Sequence, residues 1–100
     1  MDLKLKDKVV VVTGGGGAIG SAIAKSFAAE GAKVVVTGRT VATLEAIVNE
    51  IKAEGGFAAA ITCDVSSKES CEELVNKTVE QFGSLDVLVN NAGINGGPEY

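Results

Sequence analysis

A chain of 100 residues sets the scale of one domain with a modest core. An apolar content of 46% against 22% charged residues excludes a disordered polymer, and a net charge of −4 without a Lys/Arg cluster argues against a nucleic-acid partner. The alternating start Met1-Asp2-Leu3-Lys4 predicts no secretory signal, no stretch approaches a membrane span, and the absence of histidine removes any Ser-His-Asp, Cys-His or histidine–metal mechanism from these residues.

Asp7 and Lys8 lead into Val9-Val10-Val11-Val12, a β-branched run that fits a strand buried on both faces. A glycine-rich run, Thr13 to Gly20, follows and opens a helical pattern that reaches Glu30. Ile19, Ile23 and Phe27 recur there every four residues, with Ala22, Ala24 and Ala28 as small neighbours, and Gly31 stops the helix. Val34-Val35-Val36 forms the second strand, ended by Gly38. Thr40 is placed to cap the next helix, whose apolar stripe is Leu44, Ile47, Val48 and Ile51, and Gly55-Gly56 close it. Phe57 to Cys63 is a third strand, ending at Asp64. Ser66 and Glu69 form a capping-box signature for a helix carrying Cys71, Leu74, Val75, Thr78 and Phe82 on one face, with Gly83 at its end. The fourth strand, Leu85 to Val89, runs into Asn90-Asn91-Ala92-Gly93, and Ile94 to Tyr100 reads as loop.

This β-α-β-α-β-α-β alternation predicts an α/β fold, a Rossmann-type doubly wound parallel sheet with strand order 3-2-1-4. Cys63 in a strand and Cys71 on a helix read as small core residues in a reducing setting. Without companions they predict neither a disulfide nor a metal site.

Strand, glycine loop, helix is the context in which G-x-G-x-x-G, met by Gly15, Gly17 and Gly20, points to a dinucleotide. The glycines permit a tight turn, close approach of a pyrophosphate and tight helix–strand packing, and the helix N-terminus favours the phosphate charge. The plainer alternative is a flexible surface loop.

Thr13-Gly14-x-x-x-Ala18-Ile19-Gly20, together with Asp64-Val65 after the third strand and Asn90-Asn91-Ala92-Gly93 after the fourth, resembles the short-chain dehydrogenase/reductase family from about Asp7 onward. The frame shifts to Gly14, Ala18 and Gly20. Ala18 departs from the family's usual glycine, a mild change. The resemblance implies that the backbone of Gly14, Gly15, Gly16, Gly17, Ala18 and Ile19 holds the adenosine ribose and pyrophosphate. It places Asp64 and Val65 at the adenine, and Asn91 and Ala92 beside the ribose. Asp64 capping a turn before Ser66, and Asn90-Asn91 satisfying backbone groups at the strand end, stay open as structural alternatives.

Gly38 stands where an acidic residue would accept from a ribose 2′-hydroxyl, and Arg39, the chain's one arginine, follows it. A guanidinium suits a 2′-phosphate, which favours NADP(H) over NAD; a solvated Arg39 with NAD is the alternative. Thr13, Thr37 or Thr40 could add hydroxyl donors.

The family's Tyr-x-x-x-Lys pair has no counterpart here, since Tyr100 is the sole tyrosine and the last residue. No catalytic residue is assigned. Residues 1–100 are expected to form the N-terminal cofactor-binding half of a single Rossmann domain, with the catalytic half elsewhere in a longer parent. The parent is expected to be a cytoplasmic homo-oligomer acting on a small carbonyl or alcohol, with no metal, membrane or nucleic-acid partner. A non-catalytic nucleotide-binding module is the alternative.

Overall fold

The structure is a computed structural model that describes residues 5–91. Four strands and three helices alternate: β1 (Val9–Thr13), α1 (Ala18–Ala29), β2 (Lys33–Gly38), α2 (Val41–Ala53), β3 (Phe57–Thr62), α3 (Lys68–Phe82) and β4 (Val87–Asn90). All pairings are parallel and the sheet order is β3-β2-β1-β4, the predicted partial Rossmann arrangement.

Period-two alternation along the central strands divides the core into two layers. Val10, Val12, Val34 and Val36 face α1 and α2, where they meet Ala24, Leu44, Ile47, Val48 and Ile51. Val11 and Val35 face the other way and pack with Ile61, Cys63 and Leu74 beneath α3. The valines of β1 and β2 are therefore buried on both faces, as a continuous apolar run requires. The α2 stripe is buried as predicted.

Four expectations need correction. On α1 the buried line is Gly20 and Ala24, while Ile19 is 45% exposed. Small side chains let the helix backbone lie close to β1, and the larger ones spread to its flanks. Thr40 occupies the N-cap position of α2 but its side chain makes no capping bond. The cap of α3 is Ser67, not Ser66, because the Ser66 hydroxyl is already committed to Asp64 at 2.6 Å; Ser67 accepts from the Ser70 N–H instead. On α3, Leu74 and Thr78 are buried but Val75 is 42% exposed, so the covered stripe is narrower than the apolar one.

Strand ends also move slightly. The Asp86 carboxylate accepts from the Val9 N–H at 2.8 Å and the Asp86 N–H donates to the Val9 carbonyl, so β4 begins at Val87. β4 is an edge strand, with Leu88 54% exposed.

Candidate cofactor site

Parallel pairing brings every strand's carboxyl end to one edge of the sheet. Thr13 is in register with Thr37 and with Asn90, and Gly38 with Thr62. The glycine turn after β1, Arg39 after β2, Asp64 and Val65 after β3, and Asn91 after β4 therefore share that edge. Ala92 lies outside the described residues, as does the Ile94–Tyr100 loop.

The glycine turn is held from three sides. Gly14 sits at φ 67°, a left-handed conformation that favours glycine. The Gly15 N–H donates to the Thr37 carbonyl at 3.0 Å and the Gly17 N–H to the Gly14 carbonyl at 3.2 Å. At Gly20 a Cβ would strike the Gly14 carbonyl and come within 2.7 Å of Asn91 Nδ2. Close helix–strand approach thus depends on Gly20. Gly17 is the N-cap of α1, and Ser21 makes the first helical bond back to it at 2.8 Å. The N–H groups of Ala18, Ile19 and Gly20 precede that bond, at the positive end of the helix dipole. Ala18 and Ile19 are exposed there.

Thr13 and Asn91 join the two motifs. The buried Thr13 hydroxyl accepts the Asn91 backbone N–H at 2.9 Å, and the Asn91 side chain donates to the Gly14 carbonyl at 3.4 Å. The Thr13 hydroxyl is thus occupied within the protein and does not serve as a ligand donor. The strand-end role foreseen for the Asn90-Asn91 pair is met by Asn91, whose side chain bonds the Gly14 carbonyl, while Asn90 Oδ1 accepts from the Thr13 hydroxyl.

At the opposite end of the edge, Asp64 Oδ1 gathers three donors: Arg39 Nη2 at 3.0 Å, the Ser66 N–H at 3.0 Å and the Ser66 hydroxyl at 2.6 Å. The Ser66 bonds, followed by the Arg39 charge, hold its carboxyl below the usual carboxylate range. Asp64 therefore does cap its turn, and the Asp64 N–H donates to the Ser70 hydroxyl. The Arg39 side chain is 70% exposed and turned toward Asp64, so it is neither buried nor simply solvated. Val65 is exposed beside it.

Among the described residues, two buried polar atoms on this edge have no partner, Thr37 Oγ1 and Asn91 Oδ1. Such orphans are costly, roughly 1–3 kcal/mol each, and gather where a ligand or water completes the bonding. A glycine turn that admits close backbone approach, a helix N-terminus and an exposed guanidinium fit an anionic ligand, and the Thr37 hydroxyl and the Asn91 amide oxygen fit one that also carries hydrogen-bonding groups. Among the described residues no set of three or more His, Cys, Asp or Glu is placed to hold a metal ion, and no helix is long and apolar enough to cross a membrane.

Residues 8–99 match the model of the family described as short chain dehydrogenase. The chain belongs to the short-chain dehydrogenase family. It is 50% identical over 92 residues to an uncharacterised oxidoreductase of Methylorubrum extorquens, covering 91% of this chain and 37% of that protein. It is 40% identical over 98 residues to 7alpha-hydroxysteroid dehydrogenase of Escherichia coli, covering 98% of this chain and 38% of that one. A crystal structure of a short-chain dehydrogenase from Mycobacterium smegmatis superposes with a TM-score of 0.86 at 44% identity, over 92% of this chain and 39% of that chain. A metagenomic short-chain oxidoreductase in complex with NADP gives 0.80 at 39% identity, over 84% and 38%. The chain thus spans less than two fifths of these relatives' length, and nucleotide-binding oxidoreductase chemistry is what the family as a whole performs.

Proposed function

We propose that this chain is the cofactor-binding part of an NADP(H)-dependent oxidoreductase that moves hydride between nicotinamide and a carbonyl or secondary alcohol. It corresponds to the N-terminal half of one Rossmann domain. The observation that carries the reading is the meeting, on one sheet edge, of the Gly14–Gly20 turn, Arg39, Asp64-Val65 and Asn91. The NADP-bound metagenomic relative supports the choice of ligand.

In this reading the backbone of Gly14, Gly15, Gly16, Gly17, Ala18 and Ile19 faces the pyrophosphate and its ribose, with the α1 dipole favouring the negative charge. Asp64 and Val65 receive the adenine, and Asn91 with Ala92 flanks the ribose. Arg39 takes the 2′-phosphate. The guanidinium has five N–H donors, and the single Nη2 contact to Asp64 engages only a small part of that capacity. Bound there, the nicotinamide supplies or accepts the hydride, while this chain's own residues bind and orient the dinucleotide.

Calorimetric titration of the protein with NADPH and NADH tests the assignment. Tighter binding of NADPH is expected, and Arg39→Ala should weaken it roughly ten- to hundred-fold, the worth of a charge-assisted contact, while sparing NADH. Equal loss for both cofactors would refute the 2′-phosphate role. Binding of neither would overturn the cofactor reading.

A further inference from the structure

Strand register explains why Arg39 and Asp64 meet. Gly38 of β2 is in register with Thr62 of β3, and the Cys63 N–H donates to the Gly38 carbonyl at 2.9 Å. Arg39 and Asp64 therefore leave the sheet as neighbours. Their ion pair is 3.0 Å long but open to water, with side chains 70% and 48% exposed. A pair of that kind gains little by itself, because two mobile side chains must be ordered for a screened attraction.

Asp64, however, is held by three serines. Its N–H donates to the Ser70 hydroxyl at 2.9 Å and its carbonyl accepts from the Ser67 N–H at 2.9 Å, which fixes its backbone against the start of α3. Its Oδ1 accepts from the Ser66 N–H at 3.0 Å and from the Ser66 hydroxyl at 2.6 Å, which fixes the carboxylate. The hydroxyl bond is short, as a charge-assisted bond is. With the acceptor already ordered, only Arg39 loses freedom when its Nη2 binds there. The guanidinium is a rigid plane, so a bond at Nη2 limits where its remaining donors point. Ser66 is exposed and gives its one hydroxyl proton to Asp64, so it acts through that carboxylate.

We propose that Ser66 is a positioning residue for cofactor selectivity: by pinning the Asp64 carboxylate it provides a fixed post to which Arg39 is tethered, with the rest of the guanidinium's donors left for a 2′-phosphate. The selectivity rests on the cofactor reading given above; the tether itself does not. A dinucleotide without the 2′-phosphate gains nothing from an ordered Arg39. The Ser66 hydroxyl therefore matters to NADPH and not to NADH.

Calorimetric titration of the unmodified protein, Ser66→Ala, Arg39→Ala and the double variant with NADPH and NADH tests the selectivity. Ser66→Ala keeps the backbone bond to Asp64 and removes only the hydroxyl. It should weaken NADPH binding roughly two- to five-fold, the worth of an exposed ion pair, and leave NADH binding unchanged. Added to Arg39→Ala it should cost nothing more, since the two residues act through one contact. Ser66→Thr, which brings the hydroxyl back, should restore NADPH binding. NADPH binding unchanged by Ser66→Ala, an equal loss for both cofactors, or losses that simply add in the double variant would overturn the proposal. The tether is read without any cofactor, from the NMR order parameter of the Nε–H of Arg39, the chain's one arginine. That value should fall in Ser66→Ala and recover in Ser66→Thr, and an unchanged value overturns the tether. Should Arg39→Ala leave NADPH binding untouched, the 2′-phosphate reading fails and takes the selectivity with it, while the order parameter still decides the tether.

Discussion

The Thr13 hydroxyl accepts the Asn91 N–H at 2.9 Å while its own proton lies within reach of the Val89 carbonyl at 3.3 Å and Asn90 Oδ1 at 3.1 Å. One side chain thereby ties the end of β1 to the end of β4. Gly20 works at the same spot by having no side chain. Alanine is the better helix former by about 1 kcal/mol, which alone would make Gly20→Ala stabilising. The Cβ would, however, strike the Gly14 carbonyl, a backbone atom that cannot swing aside. Overpacking of that kind costs about 1–3 kcal/mol, so the steric cost wins. We expect Gly20→Ala to lower stability by roughly 1–2 kcal/mol in urea denaturation and to weaken cofactor binding with it. A stabilised variant would show that α1 can move away from the sheet.

At the scale of elements, the start of α3 shows how side-chain competition decides a boundary. Ser66, Ser67 and Ser70 are all capable of capping. Asp64 takes both the N–H and the hydroxyl of Ser66, which leaves Ser67 to satisfy the Ser70 N–H. Ser67→Ala should cost about 1 kcal/mol of stability, the ordinary worth of a cap. Ser66→Ala should instead leave the helix start intact and raise the Asp64 carboxyl toward the normal range, visible by carbon-detected NMR titration. Periodicity and glycine punctuation made the element order, the strand order and the α2 face legible in the sequence. The motif spacing made the site's edge legible too. The Ser66–Ser67 register and the inward Gly20–Ala24 line were not, because each depends on which neighbour a side chain finds in three dimensions. The position of Arg39 after β2 is legible in the sequence, but its partner, Asp64, stands 25 residues away.

Across the whole molecule, Asp86 is the tie at the amino end of the sheet as Thr13 is at the carboxyl end. The Val9 N–H first, then the Ser84 hydroxyl, hold its carboxyl below the usual range. A carboxyl depressed in the folded state stabilises above its unfolded pKa, about 3.9, and loses that contribution as pH falls through the folded value. Asp86→Asn should therefore lower the melting temperature at neutral pH, and the gap from the parent should close as the pH drops below about 4. A gap that persists unchanged in acid would show that the carboxylate charge contributes nothing.

The position of β4 has a consequence for the order of assembly. β1 pairs with β2, which begins soon after it, but also with β4, the last strand described, and the Val9–Asp86 bond spans 77 positions. Closing so long a loop costs more chain entropy than closing the β1–β2 and β2–β3 crossovers, and non-local pairings slow folding. β1 to β3 with α1 and α2 are thus expected to gather first, leaving one side of β1 open until β4 arrives. Asn91 comes with it. The edge that carries the candidate site is then the last region to be completed on folding and the first to be lost when β4 detaches, so a ligand bound there should act chiefly as a brake on unfolding.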